Sequence, residues 1–325
     1  MTAPIRWGIL STGNIAQKFV EDLRLLPDAE VAAVGSRSSE NARAFADAHD
    51  IPRAHGSWQE LAEDPDLDVI YVATPHSAHR EATLLCLRAG RAALTEKPMA
   101  LDVAQTEDLV EAARSRGVFL MEALWTRCFP AIHQIAGLVA DGAIGRVTAV
   151  HADFGISGPF AADHRLRNPA LGGGALLDLG VYPVTFAQLF LGAPDEVTAW
   201  ANRTPEGVDA STGMIFGYAS GAFAALTCTM ESDTGAHATI SGTEGRIELP
   251  TPFFIPRGYT LYRRGAEPEV VEMPVPGHGY HYEAAEVQRC LREGLLESPV
   301  VPLSETLTVM RTLDTVREKI GVTYP

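Results

Sequence analysis

Ala92-Ala93-Leu94-Thr95-Glu96-Lys97-Pro98 is a short apolar run that follows a glycine turn at Gly90 and stops abruptly on an acid, a lysine and a proline. Such a run reads as a buried strand of a parallel sheet. In open α/β sheets ligands bind just beyond the carboxyl ends of the strands, so this reading sets Lys97 facing any bound cofactor. A solvated Glu-Lys pair in an ordinary strand-to-helix loop has the same pattern. The flanking chain has to separate the two.

Upstream, Ile5 to Leu10 reads as a first strand, followed by Ser11-Thr12-Gly13-Asn14-Ile15-Ala16 and an amphipathic helix through about Leu25. The dinucleotide fingerprint asks for Gly-x-Gly-x-x-Gly or Ala at such a turn, where backbone approaches a pyrophosphate and helix N–H groups bind it. Ser11 stands at the first glycine position. The second strand, Glu30 to Val34, runs into Gly35-Ser36-Arg37-Ser38-Ser39, and a helix covers roughly Glu40 to His49. An acid at the end of this strand would bind the adenosine ribose and select NAD, whereas an arginine among hydroxyl residues suits a 2′-phosphate. No acid is present there. Ser36 and Arg37 are therefore expected to read NADP, with NAD as the alternative cofactor.

Val69 to Ala73 is another apolar strand, ending in Thr74-Pro75-His76-Ser77-Ala78-His79 at the start of a helix to Ala89. His76 and His79 stand three apart without a clear third ligand, so no metal is expected. A helix from Asp102 to Arg116 then leads to Val118-Phe119-Leu120-Met121. Regular alternation of strand and helix predicts a parallel, doubly wound Rossmann sheet over residues 1–123.

The opening Gly8-Ile9-Leu10-x-x-Gly13-x-Ile15-Ala16, the Thr74-Pro75-x-x-x-His79 turn and Glu96-Lys97-Pro98 resemble the glucose-fructose oxidoreductase and inositol dehydrogenase (Gfo/Idh/MocA) family of NAD(P)-dependent oxidoreductases, in order and spacing. The resemblance implies that Lys97 sits beside the nicotinamide and takes part in proton transfer. Ser11 replaces the usual glycine and His76 a frequent asparagine, which bears on the details of cofactor contact.

At 325 residues with 46% hydrophobic composition, the chain can hold two domains with their own cores. A formal charge of −15 and the lack of a basic run argue against a nucleic-acid surface. No signal-peptide pattern opens the chain and no apolar stretch approaches the ~20 residues of a membrane span, so a cytoplasmic location is expected. Cys86, Cys128, Cys228 and Cys290 lie far apart, as reduced core residues do; Cys128 stands out only for its aromatic-rich surroundings.

The second domain is expected over residues 124–325, entered through Trp125-Thr126-Arg127-Cys128-Phe129-Pro130, a segment that either wedges two domains or walls a pocket. After a strand from Gly145 to Asp153 and a polar loop comes Leu171-Gly172-Gly173-Gly174-Ala175-Leu176-Leu177-Asp178-Leu179-Gly180-Val181-Tyr182-Pro183. Asp178 and Tyr182 are four apart, on one face of a continuous helix, but Pro183 should kink that helix at Leu179. Asp178 in this apolar run needs a hydrogen-bond partner or a ligand. Family members usually carry an Asp and a His at these positions beside the substrate carbon. With Tyr182 for the His, the stretch is similar to the subgroup of dimeric dihydrodiol dehydrogenases and NADP-dependent D-xylose dehydrogenases.

From Glu196 to Val271 six closely spaced β runs, joined by glycine turns such as Tyr218-Ala219-Ser220-Gly221, predict a large, mostly antiparallel open sheet within an α+β domain. Phe216, Phe223 and Leu226 suggest a homodimer through this sheet. Two final helices, near 280–293 and 303–320, close the chain.

These readings converge on an NADP-dependent oxidation of a carbinol in a small sugar or polyol, most simply D-xylose at its anomeric carbon. Tyr182 would exchange the hydroxyl proton, with Lys97 lowering its pKa or acting as the acid/base itself. Asp178 would orient the substrate or the lysine, and Trp125, Arg127 and Phe154 would wall the pocket. The rivals are the same chemistry on an aromatic trans-dihydrodiol, a glycosidase using transient oxidation, and a non-catalytic NADP-binding regulator.

Overall fold

Short strands three to seven residues long, alternating with helices, build the first unit of the computed structural model, which describes residues 3–325. Its strands are β1 (Ile5–Leu10), β2 (Ala29–Gly35), β3 (Arg53–His55), β4 (Val69–Val72), β5 (Ala92–Glu96) and β6 (Leu120–Ala123). All pair in parallel, in the order β3-β2-β1-β4-β5-β6, the doubly wound arrangement expected from the alternation. β4, β5 and β6 are buried along their whole length, as strands covered on both faces must be. The covering helices include α1 (Asn14–Leu23), α2 (Ser39–Ala48), α3 (Trp58–Glu63), α4 (His79–Arg88) and α5 (Val103–Arg116). β3 and α3 escape a sequence reading because a three-residue strand and a six-residue helix are too short to show a period.

The second unit begins with α6 (Pro130–Ala140) and β7 (Val147–Gly155) and continues through α7 (Val181–Leu191). β8 (Glu196–Arg203), β9 (Asp209–Gly217), β10 (Phe223–Thr229), β11 (Ala238–Gly242), β12 (Gly245–Leu249), β13 (Gly258–Arg263) and β14 (Glu269–Glu272) follow. They join β7 in one sheet, ordered β14-β13-β12-β11-β7-β10-β9-β8, in which only β7 and β10 run parallel.

Register corrects the expected outer face of this sheet. Phe216 and Leu226 point inward and are buried, Phe216 lying opposite Ala224 and Leu226 opposite Met214. The exposed face instead carries Trp200, Ile215 and Phe223, which are 71%, 50% and 42% exposed. Trp200 pairs with Gly213, two residues from Ile215, and Phe223 pairs with Gly217, two residues beyond it, so all three share one side. A shift of one residue along a strand inverts every side chain, so Phe216 faces the core while its neighbour Ile215 faces outward.

After β14 the chain returns to the first unit: residues 276–307 cluster with residues 1–128, while 129–275 and 308–325 form the second unit. α8 (Tyr280–Arg292) is tied to α1 by the buried Asp22 carboxylate, which accepts N–H bonds from Gly279 and Tyr280 at 2.7 Å each. An acid at a helix N-terminus satisfies donors that the helix itself leaves free. α9 (Leu303–Ile320) closes the chain.

One further correction concerns hydrophobic length. Pro169–Leu191, at 23 residues, is apolar enough by length and composition to cross a membrane, but most of it lies inside the core.

Candidate active site

The carboxyl ends of β1, β2, β4 and β5 carry the cofactor-binding candidates singled out by sequence. At β1, Ser11 adopts φ = 110°, a conformation that favours glycine, so the chain keeps the geometry of the fingerprint without its first glycine. Gly13 is the N-cap of α1 and no side chain caps the helix there. A Cβ at Gly13 would meet nothing within 4 Å, so the turn is open above the helix N-terminus. Ala16, at the third position of the fingerprint, is fully buried against the sheet. An uncapped ten-residue helix beginning at an open turn is the kind of helix N-terminus that fits a dinucleotide pyrophosphate.

At β2, Gly35 is required by close packing, since a Cβ there would lie 2.7 Å from Leu61 Cβ. The next residue, Ser36, donates its N–H to the His55 carbonyl at 3.2 Å, and Arg37 extends outward with its guanidinium carbon 5.3 Å from the centre of the Trp58 ring.

The loop that carries Lys97 is braced from three sides. Glu96 accepts the Tyr71 hydroxyl on Oε1 and the Lys97 N–H on Oε2 at 3.2 Å. His79 lies fully buried with Nδ1 2.7 Å from the Pro98 carbonyl and Nε2 2.8 Å from the Thr74 carbonyl. Met99 N–H donates to Glu122 Oε1 at 2.8 Å. The Thr74-Pro75-His76 turn and the Lys97 turn are thus joined through one imidazole. Burial, then the adjacent His76, pushes the His79 pKa down to about 3 although both carbonyls oppose the shift, so the ring is neutral and donates to one carbonyl at a time.

Buried acids cluster beneath this loop. Burial raises Glu96 above its ordinary range against the opposing pull of Lys97 and Tyr71, and raises Glu122 to about 7. Glu283 of α8 is pushed well above 4.5 by burial and by Glu96 and Asp22, and neither of its carboxyl oxygens has a hydrogen-bond partner among the described residues. Tyr71, Glu122 and Glu283 were not singled out by sequence, because a Tyr in an apolar strand and an acid in an amphipathic helix carry no local signal. Trp125 and Arg127 lie in a 3₁₀ turn of the same unit, both buried: Trp125 stacks on Tyr280 at 4.2 Å, and Arg127 pairs with Glu305.

In the second unit the kink expected at Leu179 takes the form of a π turn, Leu176–Gly180, that runs straight into α7. Pro183 has no N–H to return to Leu179, and widening the preceding turn accommodates the missing bond. The three glycines before it are structural necessities. Gly172 and Gly174 have φ of 73° and 116°, and a Cβ on Gly173 would sit 2.7 Å from the Arg165 and Leu166 carbonyls. The buried Asp209 carboxylate caps the turn by accepting the Leu176 N–H at 2.7 Å.

This turn presents Asp178 and Tyr182, only 5% and 9% exposed. Asp178 is held by Arg165 through two bonds, of 2.9 and 3.1 Å. That partner comes from the polar loop and was not anticipated. The Tyr182 ring lies against Phe154 at 5.5 Å and Phe254 at 5.1 Å, and those two rings stack at 4.2 Å. Phe254 joins Phe154 in walling the tyrosine. The four cysteines are free and buried, and burial raises the Cys128 thiol well above 9, which leaves it unreactive. Among the described residues no group of three or more His, Cys, Asp or Glu side chains is arranged to hold a metal.

Comparison with known proteins agrees with this fold. Residues 5–124 match the model of an oxidoreductase family with an NAD-binding Rossmann fold, and residues 132–248 match that of the GFO/IDH/MocA C-terminal domain. The chain is 40% identical over 333 residues to trans-1,2-dihydrobenzene-1,2-diol dehydrogenase of Bos taurus, spanning 99% of this chain and 98% of the relative. The Homo sapiens protein of that name is 40% identical over 335 residues, with the same coverage. Among solved structures, a 3-ketoreductase from Actinomadura kijaniata in complex with NADP and TDP-benzene superimposes with a TM-score of 0.86 at 30% identity, over 98% of each chain. The aldose-aldose oxidoreductase from Caulobacter crescentus complexed with glycerol gives a TM-score of 0.87 at 27% identity, again over 98% of each.

Proposed function

The chain belongs to the GFO/IDH/MocA oxidoreductase family, and from that premise we propose that it is an NADP-dependent dehydrogenase that oxidises a carbinol of a small cyclic sugar or polyol, in the first instance an aldose such as D-xylose at its anomeric carbon. The observation that carries the reading is the convergence at neighbouring strand ends: the open turn after β1, the Thr74–His79 turn after β4 and the braced Lys97 after β5. In a doubly wound sheet this is the edge where a dinucleotide lies. Residues 1–123 bind the dinucleotide in this account, joined by 276–307, and residues 124–325 otherwise supply the substrate side.

When bound, the oxidised nicotinamide supplies the acceptor for the carbinol hydrogen and its electron pair. The protein must take the hydroxyl proton. In one version Tyr182 is the acceptor, its phenolate favoured by the positive charge of Lys97; in the other a neutral Lys97 takes the proton itself and becomes the ammonium. Asp178, fixed by Arg165, orients the substrate hydroxyls, and the Phe154 and Phe254 rings exclude water from the phenol. Trp125 and Arg127 wall the substrate pocket in this account.

A second substrate reading is favoured by the aromatic wall around Tyr182 together with the two relatives named above: a trans-dihydrodiol of an aromatic ring. Both substrates present a ring carbinol beside another hydroxyl. Parallel rates with D-xylose and with the dihydrodiol, each with NADP and NAD, test the reading. Reduced nicotinamide formed with NADP and either substrate supports it; product without net reduction of the cofactor would point to a glycosidase, and no turnover in a protein that binds NADPH to a regulator. Arg37→Asp should shift preference toward NAD, and an unchanged ratio would remove Arg37 as the reader.

The face carrying Trp200, Ile215 and Phe223 is the dimer surface in this account, since an apolar sheet face of this kind is costly to leave wet. Four buried, unpaired thiols fit a reducing, cytoplasmic setting.

A further inference from the structure

An arginine that reads a phosphate from an exposed strand end must be held in place, because a free guanidinium loses much of its rotamer freedom on binding. Arg37 is exposed, and its guanidinium lies over the Trp58 ring at 5.3 Å. That is within the roughly 6 Å over which an indole face attracts a cation. Trp58 is itself fixed. It is the first residue of α3, whose N-cap Ser57 accepts the Glu60 N–H at 3.1 Å while Glu60 accepts the Gly56 N–H at 2.9 Å. Its side chain packs on the core cluster that includes Leu61, and Leu61 in turn fills the space that only a glycine at position 35 leaves open. The end of β2 is pinned to the β3 side by the Ser36 N–H bond to the His55 carbonyl. Backbone and core therefore hold the Trp58 ring as a fixed surface for the guanidinium to rest on.

We propose that Trp58 is a specificity-determining residue: its ring pre-orders Arg37 for the 2′-phosphate of the adenosine ribose and so favours the phosphorylated dinucleotide. The inference rests on Ser36 and Arg37 being the 2′-phosphate readers. An indole face is electron-rich and repels a phosphate, so Trp58 acts through Arg37 and not on the phosphate itself. Stacking of adenine directly on Trp58 is the competing role, and it would strengthen phosphorylated and unphosphorylated ligands alike.

The test is calorimetric binding of adenosine 2′,5′-bisphosphate and of adenosine 5′-monophosphate to the full-length protein, as wild type, Trp58→Leu, Trp58→Phe and Arg37→Leu. Trp58→Leu should weaken the bisphosphate about two- to fivefold, the magnitude of an exposed cation–π contact, and leave the monophosphate unchanged. Trp58→Phe, which keeps an aromatic face, should recover most of the loss. Equal weakening of both ligands would overturn the proposal in favour of adenine stacking or local unfolding. So would no weakening by Trp58→Leu while Arg37→Leu abolishes the preference for the bisphosphate. If the wild type does not distinguish the ligands and Arg37→Leu changes nothing, the NADP reading fails and takes the role of Trp58 with it.

Discussion

Arg165 grips Asp178 through two nearly parallel hydrogen bonds, Nη1 to Oδ1 at 2.9 Å and Nη2 to Oδ2 at 3.1 Å, although the carboxylate is 5% exposed and the arginine comes from a surface loop. A planar fork fixes the plane of a carboxylate as well as its charge. Arg165→Leu should lower kcat/KM about 10- to 100-fold, the equivalent of the roughly 1.5–3 kcal/mol of hydrogen bonds to a charged group. Arg165→Lys keeps the charge without the fork and should fall between. Wild-type kinetics for Arg165→Leu would remove the pair from substrate orientation.

Ser11 at φ = 110° stores backbone strain that glycine would not. Ser11→Gly should be neutral or stabilising, because relief of about 1–3 kcal/mol is set against a glycine entropy cost of up to about 1 kcal/mol. Ser11→Val should cost about 2 kcal/mol, since a β-branched side chain fits this region worst. Urea unfolding measures both. A markedly destabilised Ser11→Gly would mean that the hydroxyl, and not the conformation, is what the turn uses.

Glu122 couples the site to pH. Burial raises its folded pKa to about 7 from the ordinary 4.5. Between these values the folded chain holds a proton that the unfolded chain has released, so stability falls as pH rises through the window. Glu122→Gln keeps an acceptor for the Met99 N–H and removes the titration. Near pH 8 it should be more stable than the wild type by about 3 kcal/mol, and the gain should vanish below about pH 4.5. A gain independent of pH would assign the effect to packing.

Ile215 lies on the outer sheet face between Trp200 and Phe223. Ile215→Glu places a charge in the proposed dimer surface without entering the core. Sedimentation should show monomers for the variant and dimers for the wild type, with unchanged circular dichroism. A variant that stays dimeric would move the interface elsewhere.

Much of the first unit was legible because each strand is an apolar run closed by a turn with its own chemistry: Ser11-Thr12-Gly13, Thr74-Pro75, Glu96-Lys97-Pro98. Local pattern flags Asp178, since an acid amid apolar residues must be accounted for, whereas Tyr182 stands out only through the family resemblance. What the sequence left hidden depends on contacts between distant positions. Arg165 reaches Asp178 from a loop with no period, Tyr71 meets Glu96 across neighbouring strands, and α8 joins the first unit some 250 residues after the α1 acid that caps it. Phe216 and Leu226 were assigned to the wrong face because a strand with apolar residues on both sides does not declare which side is wet.

Lys97 is proposed to take part in proton transfer without being needed to hold the cofactor. The direct measurement is the rate of reduced-nicotinamide formation by the wild type and Lys97→Met, with D-xylose or the dihydrodiol and NADP, alongside the NADPH dissociation constant of each. The account predicts a steady rise in absorbance for the wild type and a flat trace for Lys97→Met, with NADPH binding nearly unchanged. Turnover by Lys97→Met at the wild-type rate would contradict it.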